Sequence, residues 1–421
     1  MKLHMLFAVL LVLAGLAFPA NVTGCMNITA SGTYTLTTDI TGAPSNVSIA
    51  AGPVWSCIVV SASNVTLDCD GYSITNTAVS NSSGVAVNGS LGSMRTNVTV
   101  MDCDISQYTY GVFTRATYYA SILNNDLHDN SYGLLVDVAS VDTVVEDNEI
   151  YGNSVIGTSV YGNTGTIFAI PATTVNISRD HLYNNAMDLN VLGAGTGTAA
   201  YIYMFDTIFD DPSGTYGRFT NFSMGDLVTA ATSYYISWSD TPPSTVPGHI
   251  SFRDAYLEIT NNTAGVSLDW IVWKWGSDGE APPYNEGLFE LWKYNGTWAN
   301  TGATPNTANN FIDRINHVPG SVYTIAQDST CPAPITSSGV YVLNRSLVGA
   351  PNSITSFTAQ ACVRIASSDV VFDCNGYSVT NDGTGVGSFM TVGMIADGNY
   401  NNVTIQNCPS VSGYTYGVGL D

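Results

Sequence analysis

The residues best placed for chemistry form a column of acids. The words NDLHDN from Asn125, NEIYGN from Asn148 and DHLYNN from Asp180 align without gaps, and Cys103-Asp104-Ile105 joins the same register 22 residues before Asn125. The residue ahead of each Leu or Ile is then Asp104, Asp126, Glu149 or His181. Asp70, just after Cys69, is expected to extend that line. Stacked carboxylates repel, so at least one pKa should rise unless a cation or water screens them. Such a column offers an acid and a base for glycoside hydrolysis, or oxygen ligands for calcium, with Asp126 and Glu149 as the calcium candidates. From Asp126 to Glu149 there are seven acidic residues and neither Lys nor Arg. Outward carboxylates are also ordinary solvated decoration that discourages edge association. A uronate lyase needs a strong base and cationic partners, and residues 21–200 hold only Arg95, Arg115 and Arg179, with no Lys.

The cysteines show what must hold such a column in place. Cys25, Cys57, Cys69 and Cys103 are separated by 32, 12 and 34 residues, and Cys331, Cys362, Cys374 and Cys408 by 31, 12 and 34. SASNVTLDCDGYSITN from Ser61 returns as ASSDVVFDCNGYSVTN from Ala366, and YTYGV occurs at Tyr108 and Tyr414. This is a tandem repeat. The second copy keeps the cysteines but has Asn375 and Pro409 where Asp70 and Asp104 stood, so the fold does not require those acids and a site belongs to the first copy alone. The second copy stops at Asp421, just after its YTYGV word, so a second unit cut short is expected.

Leu127, Ile150 and Leu182 share one column and Asn130, Asn153 and Asn185 another, at steps of 23 and 32 residues. A period near 22 suits one coil of a parallel β-helix. Apolar residues then point inward and Asn occupies left-handed bends, where side-chain amides can form a ladder. One coil cannot bury its own face, so several must stack. Cys69 and Cys103 follow the related words NVTLDC and NVTVMDC, which places them on neighbouring coils and leaves Cys25 for Cys57. The cysteine count alone admits other pairings.

Charged residues are only 10% of the 421, and the net charge of −22 reflects scarce Lys and Arg. No basic footprint for nucleic acid exists. Lys2 and His4, the apolar run Met5 to Phe18 and a small-residue exit at Ala17 or Ala20 predict a signal peptide over residues 1–20. No later stretch is long and apolar enough to span a bilayer. Val22-Thr23-Gly24-Cys25 has the look of a lipoprotein processing box, but Cys331 holds the equivalent place where no processing can occur. Paired cysteines in an exported chain are therefore read as disulfides. Thirteen Asn-x-Ser/Thr sequons, Asn176 among them, fit export and glycan attachment.

Residues 201–326 change character. Six of the seven tryptophans lie there, and FELWKYNGTW from Phe289 sets two strands around Asn295-Gly296. An antiparallel β-sandwich is expected, immunoglobulin-like in the broad sense. Trp273 and Trp275 alternate onto one face with Ile271, either as core or as an aromatic platform for sugar rings.

The paired cysteine words, NVTLDCDGYSIT, YTYGV and the N-x-(I/L)-x-x-N coils resemble the parallel β-helix repeat proteins of archaeal cell surfaces, related to the NosD-like and sugar-hydrolase β-helix group. The resemblance covers about residues 25–200 and 331–421. The resulting expectation is an all-β chain with a right-handed parallel β-helix over 21–200, a sandwich over 201–326 and a second β-helix over 327–421. The resemblance implies a secreted or cell-surface, non-enzymatic protein of structural or adhesive role; a polysaccharide or cell-surface glycan is the candidate partner, and the acid column makes calcium the one candidate cofactor. The competing reading is a secreted polysaccharide hydrolase or lyase acting through the acid column.

Overall fold

The structure, a computed structural model, describes residues 20–420 apart from 50–51, 91, 163–172, 194–199, 211–218, 229–231, 240–242, 277–278, 280–281, 357, 382 and 384–389. The expected signal peptide lies, but for Ala20, outside the described residues.

The chain is all-β, and its first half winds as a right-handed parallel β-helix. Short strands, rich in β-branched residues in the first ladder, wind into coils, and each coil gives one strand to each of three parallel ladders. Arg95–Met101, Thr117–Leu123, Thr143–Glu146 and Thr173–Ser178 stack in the first. Asp104–Ser106, Asp126–His128, Glu149–Tyr151 and His181–Tyr183 stack in the second. Tyr110–Arg115, Tyr132–Val136, Ile156–Tyr161 and Leu189–Leu192 stack in the third. Alternation along each strand sends every second residue inward. Val100, Ile122, Val145, Ile177 and Met204 thus form one buried column, and Ile105, Leu127, Ile150 and Leu182 another.

The bends are left-handed single residues. Asp102, Asn124 and Asp147 have φ of 54°, 52° and 57°, a region that Asn and Asp tolerate better than other side chains. Next to the bends, buried amides run from coil to coil. Asn125 N–H donates to Asn148 Oδ1 at 2.9 Å, and Asn148 N–H to Asp180 Oδ1 at 2.7 Å. A second ladder joins Asn130, Asn153 and Asn185 with N–H donations of 3.0 Å at each step. These contacts satisfy backbone groups that would otherwise be buried without partners. Gly84, Gly111, Gly133 and Gly157 are stacked beside the second ladder.

Four disulfides cross between neighbouring coils: Cys25–Cys57, Cys69–Cys103, Cys331–Cys362 and Cys374–Cys408. Cys69 and Cys103 are 34 residues apart, so opening that bridge should cost about 3 to 4 kcal/mol on chain-entropy grounds. Thermal melts with and without reductant, or of a Cys69→Ser/Cys103→Ser double variant, check this. An unchanged midpoint would contradict it.

The β-helix does not end before the sandwich begins. Ala200–Asp210 pairs in parallel with Thr173–Ser178 and His181–Tyr183 on one edge, and antiparallel with Phe219–Val228 on the other. Leu189–Leu192 likewise pairs antiparallel with Ser233–Ser239. The two antiparallel sheets of the sandwich therefore grow from two walls of the β-helix, and one hydrophobic core runs through both. Further on, Gly339–Val342, Val370–Asp373 and Val403–Gln406 open a second set of parallel ladders with its own core around Phe372.

Of the two readings of Trp273 and Trp275, this packing supports the core and corrects the alternative of a sugar platform. Trp273 is 0% exposed and Trp275 4%, because their face of Leu268–Lys274 and its continuation closes the sandwich. Trp273 meets Phe222 and Tyr323, and Trp275 meets Phe289 edge-on. Their faces are consumed by core contacts and unavailable to a ligand.

Candidate functional site: the acid column of the first β-helix

The second ladder builds the candidate site. Its register places Asp104 beside Asp126, Asp126 beside Glu149, and Glu149 beside His181. Ile or Leu follows each of them and anchors the strand in the core, so the acids face outward by alternation. Asp70 does not continue the column: Ser73 stacks on Asp104 instead. The sequence passes from Cys103 to Asp104 directly, whereas a turn at Asp70 and Gly71 separates Cys69 from Ser73–Thr75. Asp70 still reaches the site. It lines an open groove of about 450 Å³ with Asp102, Asp104, Asn124 and Asp126.

Two residues further along each strand runs a second column, not foreseen from the sequence: His128, Tyr151 and Tyr183, preceded by a buried Ser106. Its signal was the third letter of the words DLH, EIY and HLY. His128 and Tyr151 stack with centroids 4.9 Å apart and planes within 5°, and Tyr151 and Tyr183 at 4.8 Å and 3°. These are coil spacings, so the rings lie face to face along the axis.

The two columns are cross-linked. His128 Nε2 lies 2.9 Å from Asp104 Oδ1, and Nδ1 lies 2.9 Å from Asp129 Oδ2. A ring held between two carboxylates must donate from both nitrogens, which favours the imidazolium. Burial pulls the His128 pKa down, but the bonds to Asp129 and Asp104 outweigh it and hold it above the ordinary value. His181 Nδ1 pairs with Glu149 Oε2 at 2.9 Å. Asp126, between them, is raised by lost hydration and then by the negative charges of Asp104 and Glu149, with His128 opposing. Among the described residues, no group of three or more His, Cys, Asp or Glu is arranged to hold a metal ion.

Residues 45–204 match the family model described as a right-handed beta helix region. Among solved structures the chain is similar to the crystal structure of the Dettilon tailspike protein, at 9% identity and a TM-score of 0.21, over 73% of this chain and 86% of that one. No curated protein matches the chain.

Proposed function

We propose that the protein is a non-enzymatic extracellular scaffold whose first β-helix binds a neutral glycan along the acid and aromatic columns. The carrying observation is the stack of His128, Tyr151 and Tyr183 in register with Asp126 and Glu149. It repeats a ring once per coil beside the acid column down a straight face, which suits a linear polyhydroxylated chain laid along the axis. The net charge of −22 and the local acids disfavour an anionic polymer. The four disulfides suit an oxidising compartment, and no described helix is long and apolar enough to cross a membrane.

Two of the column acids are engaged by histidines, Asp104 by His128 and Glu149 by His181, which works against an acid and base free to act together. Titration calorimetry with neutral oligosaccharides tests the binding. Tyr151→Ala should weaken it roughly tenfold. Unaltered affinity in that variant would remove the column from the reading. The raised pKa of Asp126 favours one alternative, a glycosidase with Asp126 as proton donor. New reducing ends that appear with the wild type and vanish in Asp126→Asn would establish it.

A further inference from the structure

A row of outward residues crosses from the β-helix onto the sandwich. Register places Asn176 beside Tyr203, Tyr203 beside Gly225, Gly225 beside Trp270, and Trp270 beside Ile315. Tyr203 is 37% exposed and Ile315 70%, and Phe205, at 45%, lies against Trp270 with centroids 5.9 Å apart. Gly225 keeps the middle of the row open. A Cβ there would come within 2.2 Å of Trp270 Nε1, so the indole lies down across the glycine backbone. An exposed aromatic row of this kind is a self-association hazard, and more so in a chain with only 10% charged residues.

The row begins at a sequon, Asn176-Ile177-Ser178. Asn176 faces outward on Thr173–Ser178 between buried Val175 and Ile177. Its side-chain amide makes no hydrogen bond among the described residues, whereas Asn81, Asn97, Asn261 and Asn402 donate theirs to Pro53, Asn64, Pro319 and Asp369. Three strand spacings separate Asn176 from the Trp270 strand, about 14 Å, within reach of a short oligosaccharide.

We propose that Asn176 is glycosylated and that its first sugars lie on Tyr203 and Trp270, covering this face. The donor is a lipid-linked sugar phosphate or diphosphate. Asn176 Nδ2 forms a bond to the anomeric carbon, the bond from that carbon to the phosphate oxygen breaks, the lipid phosphate leaves with the electron pair, and the amide gives up one proton. The proposal rests on export of the chain and is independent of the acid column.

Trypsin makes the site unusually easy to assign. Arg115 and Arg179 bracket a peptide, residues 116–179, that has no internal Lys or Arg, no Cys and one sequon. Protein purified from its own cells should yield this peptide with a hexose-containing mass addition, and removal of the glycan should raise hydroxyl-radical labelling of Tyr203 and Trp270 severalfold. An unmodified peptide would overturn the proposal. A modified peptide with unchanged labelling after glycan removal would overturn the placement on the aromatic row. Labelling that depends on protein concentration, with no glycan on the peptide, would assign the face to a second copy of this chain. An Asn176→Gln variant, which keeps an amide and removes the sequon, should reproduce the exposed labelling pattern in a folded protein.

Discussion

Asp180→Asn should stabilise the protein by about 2 to 4 kcal/mol at pH 8 and change it little at pH 4. Asp180 ends the ladder begun by Asn125 and Asn148, and its Oδ1 accepts the Asn148 N–H and Nδ2–H at 2.7 and 2.8 Å. In the coils below, the other side-chain atom is a donor: Asn125 Nδ2 serves the Val100 carbonyl and Asn148 Nδ2 the Ile122 carbonyl. The next carbonyl in that line belongs to Val145. Asp180 Oδ2 stands at a donor's place and, as an ionised oxygen, is buried without a partner. Burial accordingly pushes the Asp180 pKa up to about 7. A folded pKa above the unfolded one means that the native state holds a proton the unfolded chain releases. The stability from the neutral acid is complete below about pH 4 and drains away as pH rises through 7. Asn supplies the donor at every pH. Urea midpoints of both proteins across pH 4–8 check this, and parallel curves would refute a protonated Asp180.

The second large effect belongs to the glycine column. Gly133→Ala should cost about 3 kcal/mol, although alanine is the smallest addition possible. The added carbon would meet the Gly157 carbonyl oxygen at 2.8 Å, Ile150 Cγ2 at 2.8 Å and Asn153 Nδ2 at 2.9 Å. Two of these three atoms cannot retreat without cost. One is backbone in a packed coil, and the other donates to the Leu127 carbonyl and to Asn185 Oδ1 in the second ladder. Gly71→Ala is the control for a glycine with open space around it, where φ of +78° alone penalises the change. Denaturation of both variants separates crowding from backbone strain, and equal losses would sink the crowding argument.

The coil register was legible because its words repeat with only small changes in spacing. NDLHDN, NEIYGN and DHLYNN fixed which residues stack, and the single Asp in an otherwise Asn position was visible as the odd letter out. Three things were hidden. The turn at Asp70 and Gly71 inserts residues between a cysteine and its strand, and nothing in the local word announces the shift. Alternation in Leu268–Lys274 separates Trp273 from Trp270 without saying which side is inward, since both sides are aromatic and apolar. Lys274, on the Trp270 side and paired with Asp206, was the one hint. The shared walls of β-helix and sandwich were also beyond the sequence, because a strand that is parallel on one edge and antiparallel on the other reads like any other strand.

Coils whose hydrogen bonds run along the axis have a mechanical consequence. A pull on the two ends would load each ladder in tension and not in shear, so coils would peel off singly, in series. Each coil of roughly 22 residues would pay out about 70 Å of slack. The bridges at Cys25–Cys57 and Cys69–Cys103 tie successive coils near the start of this rod, as their counterparts do in the second copy, and would halt the peeling there. A tether built this way yields in small steps under load between fixed stops, and can rewind coil by coil when the load falls.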